Sequence, residues 1–366
     1  MDEQRYGELL GRSESMKLWL RELYTAYGYR PYQMSKFEPY DLYAQNRSFV
    51  AGNSILTFTD TDGRLMALKP DVTLSIIKNY RSGQQKVCYH EQVYRDTGAS
   101  REFREIPQAG LECIGQIDVY TQWEVLTLAR ESLKRISDTY ILDAASVGLI
   151  SGLLAATRAN GETEQALLGY LRGKNAHNIC ALCEREGISP DLSAIWQELA
   201  QLYAPASRAL PRLKDMCLND EMRQAAEELD TLCRLTAQDG EVEIHLDFSI
   251  VNDLNYYNGL VFKGYVPGLP TGILSGGRYD NLVRKLGKQA GAIGFAVYLD
   301  LLEQLPAQSR GNDADVLLLY DDMTPPEQVM ARAREMRRQG LRVRVQKESD
   351  QGRYGRVERM EGGKRA

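Results

Sequence analysis

Two long strand candidates, residues 86–95 and 105–115, constrain the fold of this 366-residue chain more than any other feature. A short polar loop at 96–103 joins them, and two shorter strand candidates at 55–59 and 65–68 precede them around a tight turn. Strands joined by short loops pair antiparallel, whereas parallel strands need a crossover of about a dozen residues or more. The pattern therefore predicts an α+β fold with an antiparallel sheet flanked by helices, and not a regular β-α-β alternation.

Predicted helices lie on both sides of these strands, and a longer helical segment then separates them from the later strands. Apolar residues recur at helical spacing over 5–26 and 121–138. Residues 160–240 are rich in Ala, Leu, Glu and Arg and carry few strand signals, so they predict a small helical insertion. Strand patterns return at 241–248 and 259–266, which indicates that the insertion lies within one core.

A smaller unit follows residues 306–312, where Pro, Ser, Gly and Asn indicate a linker. Beyond the linker come a buried-type strand at 316–319, a helix at 325–339 and another strand at 341–345. One β-α-β unit is too small to bury both faces of a sheet, so we expect it to dock on the core or on a partner. The predicted domains are a core at 1–310 and an appendage at 311–366.

Charge is distributed unevenly along the chain. The whole sequence has 45 Lys and Arg against 50 Asp and Glu, a net charge of −5, which argues against a general nucleic-acid binder. Residues 331–366 nevertheless contain 12 Lys and Arg against 5 Asp and Glu. This basic segment is either a solvated helix face with a frayed terminus or a contact for a polyanion or an acidic partner.

The composition excludes several classes of protein. No stretch approaches about 20 consecutive apolar residues, so no transmembrane segment is expected. The charged and polar residues 1–10 do not resemble a secretory signal. Six cysteines in a chain of this length are no disulfide framework, so the reducing cytoplasm is the expected location.

Nucleotide and metal motifs are weak or missing. The sequence contains neither a P-loop nor a G-x-G-x-x-G motif, and Gly276-Gly277 alone fits a tight turn as well as an anion site. His177, Cys180 and Cys183 are three residues apart but have no fourth ligand at suitable spacing, so we interpret the cysteines as core residues. No metal and no cofactor is predicted.

The strongest chemical signal is a group of polar side chains at strand parity. Side chains two apart share one face of a strand, and this holds for the polar positions of both long strands. Buried carboxylates and a guanidinium either pair internally or bind a zwitterionic ligand, and periodicity alone does not choose between these alternatives. The residues are Asp71, Thr73, Tyr89, Arg95, Gln108 and Glu112.

The segments that carry these side chains resemble the catalytic core of histidyl-tRNA synthetase, a class II aminoacyl-tRNA synthetase. Residues 68–73 (LKPDVT) resemble its Leu-Arg-Pro-Glu-Gly-Thr segment, and 93–95 with 104–112 resemble motif 2. Residues 254–259 (LNYYNG) resemble its histidine-specific Leu-Asp-Tyr-Tyr-Thr-Gly segment, and 276–280 (GGRYD), with the nearby Gly-Phe-Ala, resemble motif 3 and its approach. The motifs follow the order of the family over most of the core.

The resemblance implies a pocket for L-histidine. In the family's arrangement, Asp71, Thr73 and Gln108 would hold the α-ammonium and Arg95 would meet the carboxylate. The imidazole would be surrounded by Tyr89, Glu112 and Tyr257. The predicted site is completed by Tyr256 and Tyr279.

Departures from the family pattern fall on the residues that handle ATP. Motif 2 has Thr97 where the family has the glutamate that contacts adenine. Two arginines of the family correspond to Asn252 and Leu301. Guanidinium groups stabilise the charge that develops on a transferring phosphate, so their loss should cost several kcal/mol of transition-state stabilisation. The resemblance therefore implies a retained amino-acid pocket without the activation reaction.

A synthetase core with these departures is similar to the regulatory subunits of ATP phosphoribosyltransferase, and Asp71 in place of the family's Glu fits that paralogue better. The resemblance implies a non-catalytic regulator in histidine biosynthesis that partners a short-form catalytic subunit, which joins ATP to phosphoribosyl pyrophosphate. It further implies feedback by L-histidine, a dimer through the motif 1 region around 32–43, and a hetero-octamer without membrane or nucleic-acid contacts.

Two alternatives remain open at this stage. The first is an active histidyl-tRNA synthetase in which Arg101, Arg104 or Arg278 replaces the missing arginines. The second is a synthetase-like tRNA-binding module that uses the basic segment 331–366 on phosphates.

Overall fold

The computed structural model describes residues 10–47, 55–96, 103–237, 243–251, 254, 256–305 and 312–361. The chain divides into a large unit, Leu10–Leu305, and a second unit whose described part is 312–361. The boundary therefore falls at the start of the predicted linker. None of the described helices combines the length and the apolar composition that crossing a membrane requires.

The large unit contains twelve described strands and eleven described α-helices. The strands are β1 (Arg30–Pro31), β2 (Phe37–Pro39), β3 (Thr57–Thr59), β4 (Leu65–Leu68), β5 (Gln85–Asp96), β6 (Phe103–Gly115), β7 (Ile141–Ser146), β8 (Tyr203–Pro205), β9 (His245–Asp247), β10 (Leu260–Tyr265), β11 (Leu274–Arg278) and β12 (Gly291–Tyr298). The helices are α1 (Arg12–Ala26), α2 (Tyr40–Ala44), α3 (Thr73–Asn79), α4 (Val119–Ile136), α5 (Val147–Thr157), α6 (Gly161–Arg172), α7 (Ala176–Arg185), α8 (Pro190–Gln201), α9 (Ala206–Asp215), α10 (Asp220–Ala237) and α11 (Asp280–Lys285).

A nine-stranded sheet organises this unit, in the order β1-β5-β6-β12-β11-β10-β7-β9-β8. The β5–β6 hairpin and the pairings of β6, β12, β11, β10 and β7 are antiparallel, whereas β1–β5 and β7–β9 are parallel. A separate small sheet has the order β2-β4-β3. The predicted α+β fold with a mainly antiparallel sheet is confirmed.

Helices α1 and α4 cover one face of the sheet. The side chain of Asp118 accepts a hydrogen bond from the Thr121 amide (2.8 Å), which satisfies an N–H group at the start of α4. Leu20 and Tyr24 of α1 and Val125 of α4 are fully buried in the core beneath this face. The opposite face of β5 and β6 stays available for polar side chains.

The described part of the predicted insertion, residues 160–237, is mainly helical, with one exception. Tyr203–Pro205 forms β8, which pairs with β9 and so ties the insertion to the edge of the main sheet. Three residues are too few for a periodic signal, and their pairing depends on a strand about forty residues away. Trp196 of the insertion is fully buried in the same hydrophobic core as the main sheet, and its indole nitrogen donates to the Thr157 hydroxyl (2.9 Å).

The cysteines of the insertion differ in burial. Cys183 is fully buried, in agreement with its interpretation as a core residue. Cys180 is only half-buried, and its thiol lies 3.6 Å from the Glu184 carboxylate one helical turn away. His177 is exposed, because it lies on the other side of α7.

The last described element of the large unit is a 3-10 helix, Leu299–Gln304. Leu299 and Leu302 are fully buried. Their spacing of three residues places both side chains on one face of the 3-10 helix, which has three residues per turn.

The described part of the second unit contains β13 (Ala314–Tyr320), α12 (Pro326–Arg338), β14 (Val343–Gln346) and β15 (Tyr354–Met360). Its sheet is entirely parallel, in the order β14-β13-β15. The interpretation of the basic terminus as a frayed segment is wrong for Tyr354–Met360. The apolar strand β13 needs a hydrogen-bonding neighbour on each side, and the polar alternation of β15 hid this role from sequence analysis.

Candidate ligand-binding site

The β5–β6 hairpin places its polar side chains on the face of the sheet away from α1 and α4. Tyr89 lies opposite Gly110, and Glu112 lies opposite Gly294 of β12. A Cβ atom on Gly110 would come within 2.5 Å of the Tyr89 hydroxyl, and one on Gly294 within 1.8 Å of the Glu112 carboxyl. These two glycines therefore provide the space that the site occupies.

The structure brings all nine predicted site residues into the wall of one cavity of about 210 Å³. They come from strands β5 and β6, the segment that leads into α3, the loop before β10 and the residue that follows β11. The nine are Asp71, Thr73, Tyr89, Arg95, Gln108, Glu112, Tyr256, Tyr257 and Tyr279. Sequence reasoning missed seven further lining residues: Val72, Ser275, Gly276, Gly294, Phe295, Ala296 and Tyr298. Five of them, Val72, Gly276, Gly294, Phe295 and Ala296, lie in segments that resemble the family motifs, and that resemblance could have found them.

Glu112 lies at the centre of the polar wall and is only 2% exposed. Its carboxyl accepts hydrogen bonds from the Thr73 hydroxyl (2.8 Å) and from the Tyr279 hydroxyl. Burial raises the pKa of Glu112 to about 8, with a smaller contribution from Asp71, although both hydrogen bonds act in the opposite direction. At neutral pH this carboxyl therefore retains its proton in the absence of a ligand.

Asp71 and Arg95 form the second polar cluster. Asp71 accepts a hydrogen bond from the Leu74 amide at the start of α3 (2.8 Å), and the Arg95 guanidinium lies 3.7 Å from its other oxygen. Arg95 also donates from Nε to the Pro70 carbonyl (2.7 Å), which fixes its direction. Burial raises the pKa of Asp71 despite the nearby Arg95. The polar groups thus pair with one another, as the first alternative predicts, and still face a cavity.

Three tyrosines, Tyr256, Tyr257 and Tyr279, form the aromatic part of the cavity, called here the tyrosine wall. The ring centroids of Tyr256 lie 4.7 Å from Tyr257 and 5.6 Å from Tyr279. A Cβ atom on Gly277 would approach the Tyr257 ring to 2.7 Å, so this position must be small. An aromatic wall beside a protonated carboxyl suits a flat ring that carries both a donor and an acceptor.

The structure describes some of the positions that depart from the synthetase pattern, and some of the arginines that could replace the missing ones. Leu301 packs against the main hydrophobic core, and Thr97, Asn252 and Arg101 lie outside the described residues. Arg104 is exposed on β6, and Arg278 pairs with Asp280 (2.9 Å) and Glu228 (3.6 Å).

Of the described residues that line the cavity, Arg95 alone carries a positive charge. The cavity therefore offers carboxyl groups and one guanidinium. That set matches a small zwitterion better than a triphosphate, which requires several cations.

Replacement of Thr73 by valine is expected to raise the pKa of Glu112 by about one, because one hydrogen bond that favours the ionised carboxyl is lost. Carbon-13 NMR titration of the Glu112 carboxyl would measure the change. Thr73→Ser, which keeps the hydroxyl, should titrate like the original protein. An unchanged pKa in Thr73→Val would contradict the assigned hydrogen bond.

The fold and the site define a class II aminoacyl-tRNA synthetase-like protein. The family model for histidyl-tRNA synthetase matches residues 8–302. Among solved structures, the histidyl-tRNA synthetase of Nostoc sp. PCC 7120 matches with a TM-score of 0.72 and 18% identity, over 93% of this chain and 84% of that one. An ATP phosphoribosyltransferase regulatory subunit/histidyl-tRNA synthetase from Bacillus halodurans matches with a TM-score of 0.79 and 23% identity, over 96% and 94% of the two chains.

Curated relatives narrow this class. The ATP phosphoribosyltransferase regulatory subunit of Caldanaerobacter subterraneus is 30% identical over 329 residues, which cover 87% of this chain and 82% of the relative. That of Oceanobacillus iheyensis is 27% identical over 350 residues, or 93% and 85% of the two chains. The chain belongs to the family of ATP phosphoribosyltransferase regulatory subunits, as its motifs predicted.

Proposed function

We propose that this chain is the non-catalytic regulatory subunit of an ATP phosphoribosyltransferase, and that it binds L-histidine in the cavity described above. The observation that carries the proposal is the composition of the cavity: two buried carboxyl groups, a tyrosine wall and one guanidinium. A pocket with one cation suits the amino acid and lacks the additional positive charge that adenylate formation requires.

The spacing of charges in the cavity supports a bound α-amino acid. Asp71 and Arg95 approach to 3.7 Å, so an ammonium and a carboxylate attached to the same carbon atom could each face an opposite charge. Thr73 and Gln108 add polar groups near Asp71. The imidazole would then lie between Tyr89, Tyr257 and the protonated Glu112, which offers it a hydrogen-bond donor.

The proposed partner is a short-form ATP phosphoribosyltransferase catalytic subunit. The names of the curated relatives support this role. A solved structure from Thermotoga maritima, described as an ATP phosphoribosyl transferase (HisG:HisZ) complex, has a TM-score of 0.62 and 19% identity over 79% of this chain and 97% of that chain. At this level of sequence identity, the similarity to the Thermotoga maritima structure shows a shared fold. The dimer through residues 32–43 and the hetero-octamer are proposed from the family resemblance.

Feedback requires that L-histidine binds one state of the complex more tightly than another. A ratio of about 5–150 between the two affinities corresponds to roughly 1–3 kcal/mol of coupling. Glu112 would connect ligand binding to two separate chain segments, because its buried carboxyl accepts hydrogen bonds from the hydroxyls of Thr73 and Tyr279.

Reconstitution tests this function directly. We expect this chain to increase the ATP- and phosphoribosyl pyrophosphate-dependent activity of a short-form catalytic subunit from the same organism by at least about tenfold, because the family's catalytic chains require the regulator. L-Histidine should inhibit the mixture. Glu112→Gln should still activate but respond only weakly to L-histidine. A catalytic rate that is unaffected by this chain would refute the proposed role.

The second candidate function, histidyl-tRNA synthetase activity, is favoured by the family model that spans residues 8–302. Histidine-dependent ATP–pyrophosphate exchange separates the two functions. We expect no exchange above background, because the described lining of the cavity contributes only Arg95 as a cation. Robust exchange would identify an active synthetase.

A further inference from the structure

Asp280 joins three separate segments behind the tyrosine wall. Its Oδ2 accepts hydrogen bonds from Arg278 Nε (2.9 Å) and Asn258 Nδ2 (3.2 Å), and its Oδ1 accepts one from the Ala292 amide (2.9 Å). The Asp280 amide in turn donates to Asn258 Oδ1 (2.7 Å). We call Asn258, Arg278 and Asp280 the Asp280 clamp. It connects the loop before β10 with the end of β11 and the start of β12.

The clamp residues directly follow or flank the tyrosines of the cavity. Asn258 follows Tyr257, and Tyr279 lies between Arg278 and Asp280. The Asn258 amide also donates to the Arg278 carbonyl (3.0 Å), so both backbone and side chains hold the two segments together. Because the tyrosine side chains point into the cavity from these same segments, a change in the clamp alters the position of the wall.

The outer end of the clamp contacts the helical insertion. Glu228 of α10 lies 3.6 Å from the Arg278 guanidinium and accepts a hydrogen bond from Gln122 of α4 (2.5 Å). Gln122 is 1% exposed, so Glu228 is held against a fixed part of the core. The insertion and the cavity are therefore linked through a short chain of charged and polar contacts.

We infer that Asn258 and Asp280 are positioning residues for the tyrosine wall, and that Glu228 makes ligand affinity depend on how the helical insertion is docked. The inference rests on the proposed function only in taking L-histidine as the ligand. None of these three residues lines the cavity, so each acts through Tyr256, Tyr257 or Tyr279. Asn258 stands where the synthetase motif has threonine, and its amide provides separate donor and acceptor atoms for Asp280.

A charge swap tests the clamp. In Asp280→Asn, an amide nitrogen replaces one carboxylate oxygen and faces a hydrogen-bond donor. In Asn258→Asp, two carboxylates lie next to each other. Each single variant should therefore weaken L-histidine binding by about tenfold. The double variant Asn258→Asp with Asp280→Asn restores one carboxylate and one amide in this pair, so it should bind L-histidine more tightly than either single variant. Its recovery should be partial, because the amide at position 280 still faces the donor of Arg278 or of Ala292. Calorimetric titration measures the affinities, and thermal unfolding of each variant shows that it is folded.

Amide hydrogen exchange of residues 256–259 in the ligand-free chain gives a readout that does not depend on L-histidine. Exchange should accelerate in both single variants and slow again in the double variant. The original chain could fail to bind L-histidine while the amide exchange rates of the variants change as expected. That result would contradict the proposed function and support the role of the Asp280 clamp. Unchanged exchange and affinity in Asp280→Asn overturn the clamp, as does a double variant no better than the single ones.

The link to the insertion has its own test. Glu228→Gln keeps a partner for Gln122 but removes the charge opposite Arg278, so L-histidine affinity should fall two- to fivefold and exchange at 256–259 should rise. Glu227→Gln, at the exposed neighbouring position of α10, is the matched control and should change neither. Equal behaviour of the two variants would overturn the role of Glu228.

Discussion

Replacement of Glu112 by glutamine is expected to weaken L-histidine binding by at least about 100-fold, or about 3 kcal/mol. The carboxyl accepts hydrogen bonds from both Thr73 and Tyr279 and still faces the cavity. Glutamine has nearly the same shape but only one oxygen. Its –NH₂ group would face one of these hydroxyl donors, and it cannot share a proton with an imidazole. The loss combines a missing ligand contact with polar groups left unpaired in a buried site.

Isothermal titration calorimetry at pH 7 would measure this effect, with Glu105→Gln as the control. Glu105 lies on the same strand but is exposed, and it accepts a hydrogen bond from the Tyr94 hydroxyl (3.2 Å). The control should bind like the original chain. If Glu112→Gln retains affinity within threefold, the imidazole is not held by this carboxyl and the ligand assignment is wrong.

The ligand-free protein should lose stability as the pH rises, and Glu112→Gln should lose less. The pKa of Glu112 is about 8 in the folded chain, above its ordinary value of 4.5, because burial disfavours the charged form. Between these two values the folded state binds more protons than the unfolded state, so the free energy of unfolding falls with increasing pH. This contribution is fully present below the unfolded pKa and is lost as the pH passes through the folded pKa.

Urea denaturation at pH 5 and pH 8.5 would measure the difference. Glutamine does not titrate, so the free energy of unfolding of the variant relative to the original should increase by roughly 4 kcal/mol between these two pH values. Asp143, whose pKa burial raises to about 7, contributes a slope of the same sign that is common to both proteins. Parallel pH profiles for the two proteins would show that Glu112 is ionised at neutral pH and contradict the assigned pKa.

Strand parity in the sequence grouped several residues that line the wall of the cavity. Tyr89 and Arg95 on β5, and Gln108 and Glu112 on β6, were assigned to shared faces because side chains alternate along a strand. Hairpin connectivity then made β5 and β6 neighbours. Tyr257 could not be placed in this way, because it lies in a loop with no period, and only the family motif assigned it to the site.

Other features depended on contacts that local sequence does not encode. The strand Tyr203–Pro205 exists because it pairs with β9, and Tyr354–Met360 forms a strand because β13 offers an unpaired edge. Both segments have weak strand patterns of their own. The hydrogen bonds of a strand are made with another part of the chain, so its formation depends on what the fold places beside it.

The sequence by itself determined the mainly antiparallel hairpin architecture, the helical insertion and the set of polar residues in ordered family motifs, because period and motif order are local properties. Only the tertiary structure decided that these residues enclose one cavity, that Gly110 and Gly294 leave room for Tyr89 and Glu112, and that Asp280 holds the tyrosine wall from behind. The tertiary structure also determines that the carboxyl of Glu112 is protonated at neutral pH. A carboxyl keeps its proton at neutral pH when the fold removes water from around it, and the extent of that desolvation depends on packing among distant segments.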